Sequence, residues 1–511
     1  VTTGIKNTML GAYAGYTSLL VDNTVLLGYN AGGSAAMTAD ADGTVAVGWS
    51  ALAQLTSGQR NIAIGYEALD ALKVGDDNIA LGYQALTNLG TSTFANRNIA
   101  IGTYALLSAA NNNINDNIAI GYGALSQSVH SDGDNNVAIG TNAMSDLTAG
   151  AWGMVAVGEG SLRRTNHADS QGSVAVGVNA LTANVSGIGN TAIGFDALKS
   201  EDDGDYNTAV GYEALEDQTG TTGTVGNTAV GYHAGKGVVT GKFNTFIGGN
   251  SGETASGSAV DENAALGYAA LGKLNSGSRN TALGTAAGQL FQNASDIVAV
   301  GYYTLANANT STDIDGCGAV GSLSQAENKT GQANVSVGKS ALQTDVNGDN
   351  NTAIGHEALK AQNGVSGNVG NTAVGKGALG VHTSGQQNTA IGALAMSTNL
   401  TGRYNTVVGY DAGGAMNGAE DNHVIIGRSA GYNLDGAQNC VMVGRSTQGS
   451  GATATNQNVF GYHAAGQVDN SVTLGNGDVT KVYMSEDGDA EMYANGTINT
   501  SDRRLKENID D

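Results

Sequence analysis

Residues 61–69 read NIAIGYEAL, and a closely similar stretch, NIALGYQAL, follows at residues 78–86. The pattern Asn-x-Ala-(Ile, Val or Leu)-Gly-x-x-Ala-Leu returns along the chain, for example as NTAVGYEAL at 207–215. Its central glycine can be placed 27 times between Gly11 and Gly475, and 14 of the 26 intervals are 17 residues long. A repeat this short and regular predicts a solenoid, in which each unit stacks on the unit before it.

The repeat unit has the length and the alternation of one β-coil. Seventeen residues are too few for a pair of helices, whereas short alternating apolar runs suit a strand. Ile62 and Ile64 point to one face of such a strand, because successive side chains alternate. Asn61, Ala63 and Gly65 point to the other face, which therefore carries small side chains. We predict an all-β fold, a parallel β-solenoid (β-roll) of about 26 short coils.

Two positions of the unit are expected to organise the stack. The central glycine permits a tight bend that a Cβ would obstruct. Asn stands four residues before this glycine in 17 of the 27 units. Its amide either joins a hydrogen-bonded ladder along the stack or favours the turn that enters the strand. Cys317 and Cys440 fall in this column and are expected to be buried substitutes, not a redox or metal pair. The structural residues named for these columns are Asn61, Gly65, Asn78, Gly82, Asn207, Gly211, Asn351 and Gly355.

The predicted core is thin, because aromatic residues make up only 5% of the chain. Strands stacked at about 4.8 Å would form a rod on the order of 125 Å long. So slender a rod would gain support by packing laterally against copies of itself, and the face with small side chains offers a self-complementary surface. We therefore expect a parallel homotrimer about the rod axis, with a monomeric solenoid as the alternative.

The repeats resemble those of two known groups of proteins. The Asn-x-Ala-Ile-Gly motif is similar to the head repeats of trimeric autotransporter adhesins, which form a left-handed parallel β-roll and trimerise. Those heads repeat in fewer residues, so the likeness is one of motif and not of coil length. The longer units, such as NTAVGYHAG at 227–235, also resemble tail-fibre proteins of bacteriophages. The resemblance covers residues 7 to about 475 and implies a fibre on a virion or on an extracellular surface.

The chain divides into three parts. Residues 1–475 are the repetitive shaft or head, and residues 476–500 are predicted to form a short β neck that covers the end of the stack. The sequence SDRRLKENI at 501–509 resembles the start of the intramolecular chaperone at the C-termini of phage tail fibres and endosialidases. In that family the chaperone drives trimer assembly and then cuts itself off. Residues 501–511 would be the start of this removable domain.

The chaperone resemblance implies a self-cleavage site. Ser501 and Asp502 would lie at the scissile bond, with Lys506 as the base, since a desolvated lysine can activate a serine hydroxyl. Taken without the resemblance, the same residues predict a capped helix start with Ser501 as N-cap. Only about eleven residues of the chaperone are present, so we expect no activity from this chain.

The composition makes several other functions unfavourable. A formal net charge of −23 repels nucleic acid, and no apolar run reaches the ~18–20 residues of a membrane span. The seven histidines show no metal spacing, and acidic loops such as residues 202–205 lack a calcium-binding repeat. We expect neither a metal nor a cofactor.

Tyrosine recurs directly after the central glycine. Tyr66, Tyr83, Tyr122 and Tyr212 are candidate contacts for the rings of a glycan, and the alternative is a structural role at the edge of the coil.

These features predict a structural and adhesive fibre. The first hypothesis is a phage tail fibre that attaches the virion to a glycan or protein receptor on the host and is matured by removal of the chaperone. The second is a bacterial trimeric surface adhesin or extracellular filament. The third is a glycan-active enzyme on a β-solenoid, although no paired carboxylates at a break in the repeat stand out. Apart from self-cleavage near Ser501, we expect no catalysis.

Overall fold

A computed structural model describes eleven stretches of the chain. The described residues are 4–18, 20–88, 95–107, 114–127, 133–147, 152–165, 171–219, 222–254, 260–307, 314–363 and 366–483. Ser501, Asp502 and Lys506 lie outside them, as does the predicted neck from residue 484 onward. Residues 476–483, the described part of the neck, contain no strand.

The regular structure in these stretches is almost entirely β. One parallel sheet of 27 strands runs through them, and each strand pairs with the strand of the next repeat. The register matches motif to motif, so that Ile62 lies opposite Ile79 and Ala63 lies opposite Ala80. The predicted parallel β-solenoid is therefore confirmed, because successive motifs are displaced by one interstrand step.

The strands of this sheet are all three residues long, as the short motif predicts. They are Thr8–Leu10, Val25–Leu27, Val45–Val47, Ile62–Ile64, Ile79–Leu81, Ile99–Ile101, Ile118–Ile120, Val137–Ile139, Val155–Val157, Val174–Val176, Thr191–Ile193, Thr208–Val210, Thr228–Val230, Thr245–Ile247, Ala264–Leu266, Thr281–Leu283, Val298–Val300, Gly318–Val320, Val335–Val337, Thr352–Ile354, Thr372–Val374, Thr389–Ile391, Thr406–Val408, Val424–Ile426, Val441–Val443, Asn458–Phe460 and Val472–Leu474.

Smaller elements lie between these strands. Within the described stretches, three pairs of two-residue strands form parallel ladders of their own, and one 3₁₀ helix spans Ala39–Ala41. The paired short strands are Ala95–Asn96 with Ile114–Asn115, Gly204–Asp205 with Gly223–Thr224, and Gly348–Asp349 with Gly367–Asn368. The loops of neighbouring coils are thus stacked in places, not only the main strands.

The middle residue of each strand faces the interior of the solenoid. Ala63 is fully buried, whereas Ile64 on the opposite face is 38% exposed. Ala68 and Leu69, which close the motif, are also fully buried and complete the core of the coil. A single coil therefore has a core of alanine and leucine, and its β-branched residues lie outside.

This orientation corrects one prediction. We expected the small-residue face, represented by Ala63, to be the surface that packs against other copies. That expectation is wrong, because alanine is the side chain that fits between the two walls of so narrow a coil. The outward face carries Ile62 and Ile64 instead, so any lateral packing on this side of the sheet uses large apolar residues.

The predicted role of the central glycine is confirmed. Gly65 has φ +142°, which L side chains rarely adopt, and a Cβ there would collide with the carbonyl oxygen of Gly82 in the next coil. Gly82, Gly211 and Gly355 have the same conformation and the same close neighbour, the glycine one coil further on. The bend and the interstrand distance together therefore require glycine.

Candidate functional site

The asparagine column forms a ladder inside the solenoid. Nδ2 of Asn78 donates to Oδ1 of Asn61 at 2.9 Å, and the backbone N–H of Asn78 donates to the same oxygen at 3.0 Å. Asn98 repeats both bonds on Asn78. Nδ2 of Asn78 also reaches the carbonyl oxygen of Ala95 in the next loop at 2.7 Å. Of the two roles left open for this column, the ladder is observed.

The other residues named for the ladder behave in the same way. The backbone N–H of Asn207 donates to Oδ1 of Asn190 at 2.8 Å, and that of Asn351 donates to Oδ1 of Asn334 at 2.8 Å. Because these amides are fully buried, the ladder satisfies polar groups that would otherwise be costly inside the coil.

Both cysteines replace asparagine in this column, as predicted. Sγ of Cys317 lies 3.2 Å from the carbonyl oxygen of Gly331, and Sγ of Cys440 lies 3.3 Å from that of Ala454. Both thiols are free and buried. Burial raises the pKa of Cys317 to about 11, so this thiol is a structural group and not a nucleophile.

His423 is a further substitute, which sequence reasoning missed. Its Nε2 lies 3.1 Å from the carbonyl oxygen of Ala437, and its Nδ1 accepts the backbone N–H of Cys440 at 3.1 Å. The ring thus makes both bonds of an asparagine amide, which requires the neutral form with the proton on Nε2. Burial lowers the pKa of His423 and favours that form.

The outward face of the sheet carries an apolar strip. We define the apolar strip as the residue directly before each central glycine. In all 27 units this residue is Leu, Ile, Val or Phe, and in none is it buried. Its members are Leu10, Leu27, Val47, Ile64, Leu81, Ile101, Ile120, Ile139, Val157, Val176, Ile193, Val210, Val230, Ile247, Leu266, Leu283, Val300, Val320, Val337, Ile354, Val374, Ile391, Val408, Ile426, Val443, Phe460 and Leu474.

The apolar strip is continuous, because its members lie opposite one another in successive strands of the sheet. Leu266 and Leu283 lie opposite each other in neighbouring strands and are 49% and 44% exposed. With 26 steps of about 4.8 Å and a width of one residue, about 3.3 Å along the strand, the strip covers on the order of 400 Å². Contiguous apolar patches above a few hundred Å² mark interaction surfaces.

A second row, the motif edge, is formed by the residue directly after each central glycine. Tyr66 lies here between Trp49 and Tyr83, with ring centroids 4.8 Å and 5.1 Å away and planes within 9° of parallel. Tyr212 stacks on Phe195 in the same manner at 5.1 Å. Both faces of the Tyr66 ring are covered by its neighbours, so the ring presents its edge and hydroxyl to solvent.

The structure thus places the four candidate glycan contacts on one edge of the solenoid. Tyr122 makes only an edge contact with Tyr104, at 5.9 Å and 74°, and is 55% exposed. Stacking gives Tyr66, Tyr83 and Tyr212 the structural role that was the alternative. Their contact with a glycan stays a prediction.

A cleft beside the motif edge adds a candidate that sequence reasoning missed. It has a volume of about 510 Å³ and is lined in part by Trp49, Gln54, Glu67, Asp70 and Lys73. Burial, followed by the nearby carboxylate of Glu67, raises the pKa of Asp70 to about 6. Mixed polar groups beside an aromatic edge can bind a hydroxylated ligand. The close spacing of Glu67, Asp70 and Lys73 in one coil was the signal that could have found it.

Several carboxylates are buried in the described part of the solenoid, among them Glu201 and Asp345. Glu201 accepts the backbone N–H of Gly204 at 2.7 Å, and Asp345 accepts that of Gly348 at 3.0 Å. Burial is the main reason why the pKa of each is raised to about 7. Neither carboxylate lines the cleft at Trp49, so we assign both to the core and not to a site.

Comparisons with known proteins do not assign this chain to a family. No family model matches it, and no curated protein matches it either. Within the described stretches, no group of three or more His, Cys, Asp or Glu side chains is placed to hold a metal ion. In the same part of the chain, no helix is long and apolar enough to cross a membrane.

Proposed function

We propose that this chain is the shaft of a homotrimeric adhesive fibre, specifically a phage tail fibre that attaches the virion to a receptor on the host surface. The observation that carries the proposal is the unbroken apolar strip. A rod that leaves one large apolar residue at least partly exposed in every coil is stabilised when the strip is removed from water.

The strip also favours a parallel arrangement of copies. Each coil offers one strip residue at the same height, so parallel copies bring identical residues to the same level around a common axis. Leu266 of one copy would then meet Leu266 of the others, and a register shift would cost contacts all along the rod. Three copies is the number that the resemblance to tail fibres and adhesin heads implies.

A phage fibre is favoured over a bacterial adhesin by the C-terminal resemblance alone. SDRRLKENI at 501–509 is similar to the start of a removable chaperone, which would explain how such a strip is aligned during assembly. In this proposal Ser501 and Asp502 lie at the point of cleavage and Lys506 is the base. A Ser501→Ala exchange in a precursor that carries the whole chaperone should leave it uncut.

The test of the fibre is its mass in solution. Light scattering after size-exclusion chromatography should give three times the mass of the chain. Leu266→Glu with Leu283→Glu should weaken the trimer, because charges would be buried between copies. Thr285→Glu, an exposed position on the motif edge, is the matched control and should leave the mass unchanged. A monomer at micromolar concentration overturns the proposal.

A further inference from the structure

The motif edge changes chemistry along the rod. Aromatic residues dominate it in the first seventeen units, from Tyr29 to Tyr302. From unit 19 to unit 25, five of the seven residues at the same position are basic. We define the basic edge as Lys339, His356, Lys376, Arg428 and Arg445.

The basic edge forms a line of exposed basic side chains. All five side chains are exposed, and each follows a central glycine, so they lie on the same side of the solenoid. Lys339, His356 and Lys376 occupy three consecutive units, and Arg428 and Arg445 occupy two more. Six interstrand steps, or about 29 Å, separate Lys339 from Arg445.

Most of these charges are not neutralised by the protein. Among the described residues, no carboxylate oxygen lies within 4.0 Å of the two lysines or the two arginines of the basic edge. His356 is 3.8 Å from Glu357, whose carboxylate also binds Lys360 at 2.7 Å. Most of the positive charge of the basic edge is therefore available to interact with an anionic ligand.

Three exposed arginines elsewhere on the rod are held in ion pairs. In the first seventeen units, each of three exposed arginines forms a pair with an aspartate one coil away. These pairs are Arg60 with Asp77, Arg97 with Asp116, and Arg279 with Asp296. Among the described residues, the two arginines of the basic edge differ from these three in having no carboxylate partner.

Two tyrosines of the same row support the arginines. The guanidinium of Arg428 lies over the ring of Tyr410 at 6.0 Å, and that of Arg445 lies over Tyr462 at 5.4 Å. A cation–π contact orients the charge without neutralising it. Both tyrosines are more than half exposed, so their hydroxyls are also accessible along the edge.

We propose that the basic edge binds a linear anionic polysaccharide that runs along the rod. A chain with a carboxylate on each sugar unit places charges in a line, as the edge does, and its hydroxyls suit the tyrosine hydroxyls beside them. The inference deepens the proposed attachment function and rests on it, since it names the chemistry of the receptor. It assigns receptor binding to the basic edge and not to the stacked tyrosines of the first units, although both lie on the motif edge.

The geometry favours a polysaccharide over a nucleic acid. Single-stranded nucleic acid binds by stacking its bases on free aromatic faces. In this row Arg428 and Arg445 each cover a tyrosine face. A duplex would bring a second line of phosphates toward a protein whose net charge is −23.

The binding experiment uses the whole purified chain and alginate, a linear polyuronate, with neutral dextran as the comparison polymer. We expect alginate to bind, more weakly at about 200 mM than at about 50 mM salt, and dextran not to bind. Replacing Lys339, Lys376, Arg428 and Arg445 by alanine together should weaken alginate binding about thirtyfold, as four exposed ion pairs would. Lys273→Ala removes an exposed cation away from the edge and should leave the affinity unchanged.

Three outcomes would overturn the inference. They are equal binding of alginate and dextran, alginate binding that survives the fourfold exchange, and tighter binding of poly(dT) than of alginate. The assay is separable from the test of the fibre, because the fourfold variant keeps the apolar strip and should keep its mass. A monomeric chain would refute the trimer and still leave the basic edge to be tested.

Discussion

Phe246 and Gly252 face each other so closely that a Cβ on Gly252 would stand 2.5 Å from Cδ1 of the phenyl ring. Phe246 occupies the mid-strand position that Ala63 holds in its own coil, and Gly252 occupies the position of Leu69. A large residue at one position is therefore matched by the loss of a side chain at the other. Other coils show the same exchange, among them Leu26 with Gly32 and Ile425 with Gly431.

This pairing predicts a compensated double exchange. Phe246→Ala should destabilise the coil by about 3–5 kcal/mol through an empty cavity. Gly252→Leu should destabilise it by about 1–3 kcal/mol or more through overpacking. The two together recreate the alanine and leucine of the ordinary coil and should melt close to wild type. Thermal unfolding followed by circular dichroism measures all four proteins.

The backbone does not prevent this exchange. Gly252 has φ +60°, and Leu69 adopts φ +52° at the same position of its coil. A double variant whose loss of stability equals the sum of the two single losses would contradict the pairing, because coupled neighbours are not additive.

The asparagine ladder gives the second prediction. Asn78→Ala should leave the carbonyl of Ala95 and the N–H of Asn98 without their partners, at a cost of about 3 kcal/mol. Amide hydrogen exchange should accelerate first in the adjoining strands, Ile79–Leu81 and Ile99–Ile101. Asn78→Cys should be milder, because cysteine already occupies this column at Cys317. Equal effects of the two exchanges would refute the role given to the thiol.

The core carboxylates predict a loss of stability as the pH rises from about 4.5 to about 7. The pKa of Glu201 is about 7 in the fold, above its ordinary value of 4.5, so the folded state favours the protonated acid. Its contribution to stability is complete below pH 4.5 and is lost as the pH rises through 7. Glu201→Gln, which stays neutral, should be more stable than wild type at about pH 8 by up to about 3 kcal/mol.

The comparison at two pH values separates this effect from a general one. Urea unfolding should show the advantage of Glu201→Gln at about pH 8 and little of it at about pH 4.5. Glu159→Gln, at an exposed position of the motif edge, is the matched control and should show no such dependence. An advantage of the same size at both pH values would count against burial as the cause.

The buried histidines predict the opposite dependence. Burial lowers the pKa of His382 and His423, so the folded state favours the neutral rings. Stability is therefore lost as the pH falls below about 6.5, where the unfolded chain takes up protons first. Asparagine occurs at the equivalent positions of other coils, and the double exchange of both histidines to Asn should flatten the melting temperature between about pH 6.5 and 5. A slope equal to that of wild type would show that these rings are not its source.

The period of the sequence was sufficient to predict the stack. The regular spacing of Gly65, Gly82 and the other central glycines predicts that each coil stacks on the next. Equivalent residues of successive motifs then lie opposite each other, which sets the strand register. The ladder of Asn61 and Asn78 was one of two options, and only a three-dimensional structure distinguishes a side chain bonded along the stack from one that favours a turn.

Alternation within a strand could not tell which face is internal. Ile62 and Ile64 lie opposite Ala63 in either orientation, because a period of two fixes the alternation and not its direction. The exchange of Phe246 with Gly252 was the signal that decides it, since compensating volumes must share one enclosed space. The left-handed conformation of Leu69 was beyond sequence reasoning, because leucine seldom adopts it.

The candidate sites were predictable only by column. The position directly after each central glycine predicted Tyr66 and the equivalent tyrosines as candidate contacts. The same column contains Lys339 and Arg445. The cleft at Trp49 depends on how three coils meet, and no single motif contains that information.

Within the described stretches, each coil of the main sheet pairs only with the coil before it and the coil after it. Duplication or loss of one whole unit would therefore lengthen or shorten the rod by about 4.8 Å and leave the remaining coils undisturbed. Recombination between such similar units is a simple route to such changes. The number of units thus sets the length of the rod, and evolution can change that number without altering the units at either end.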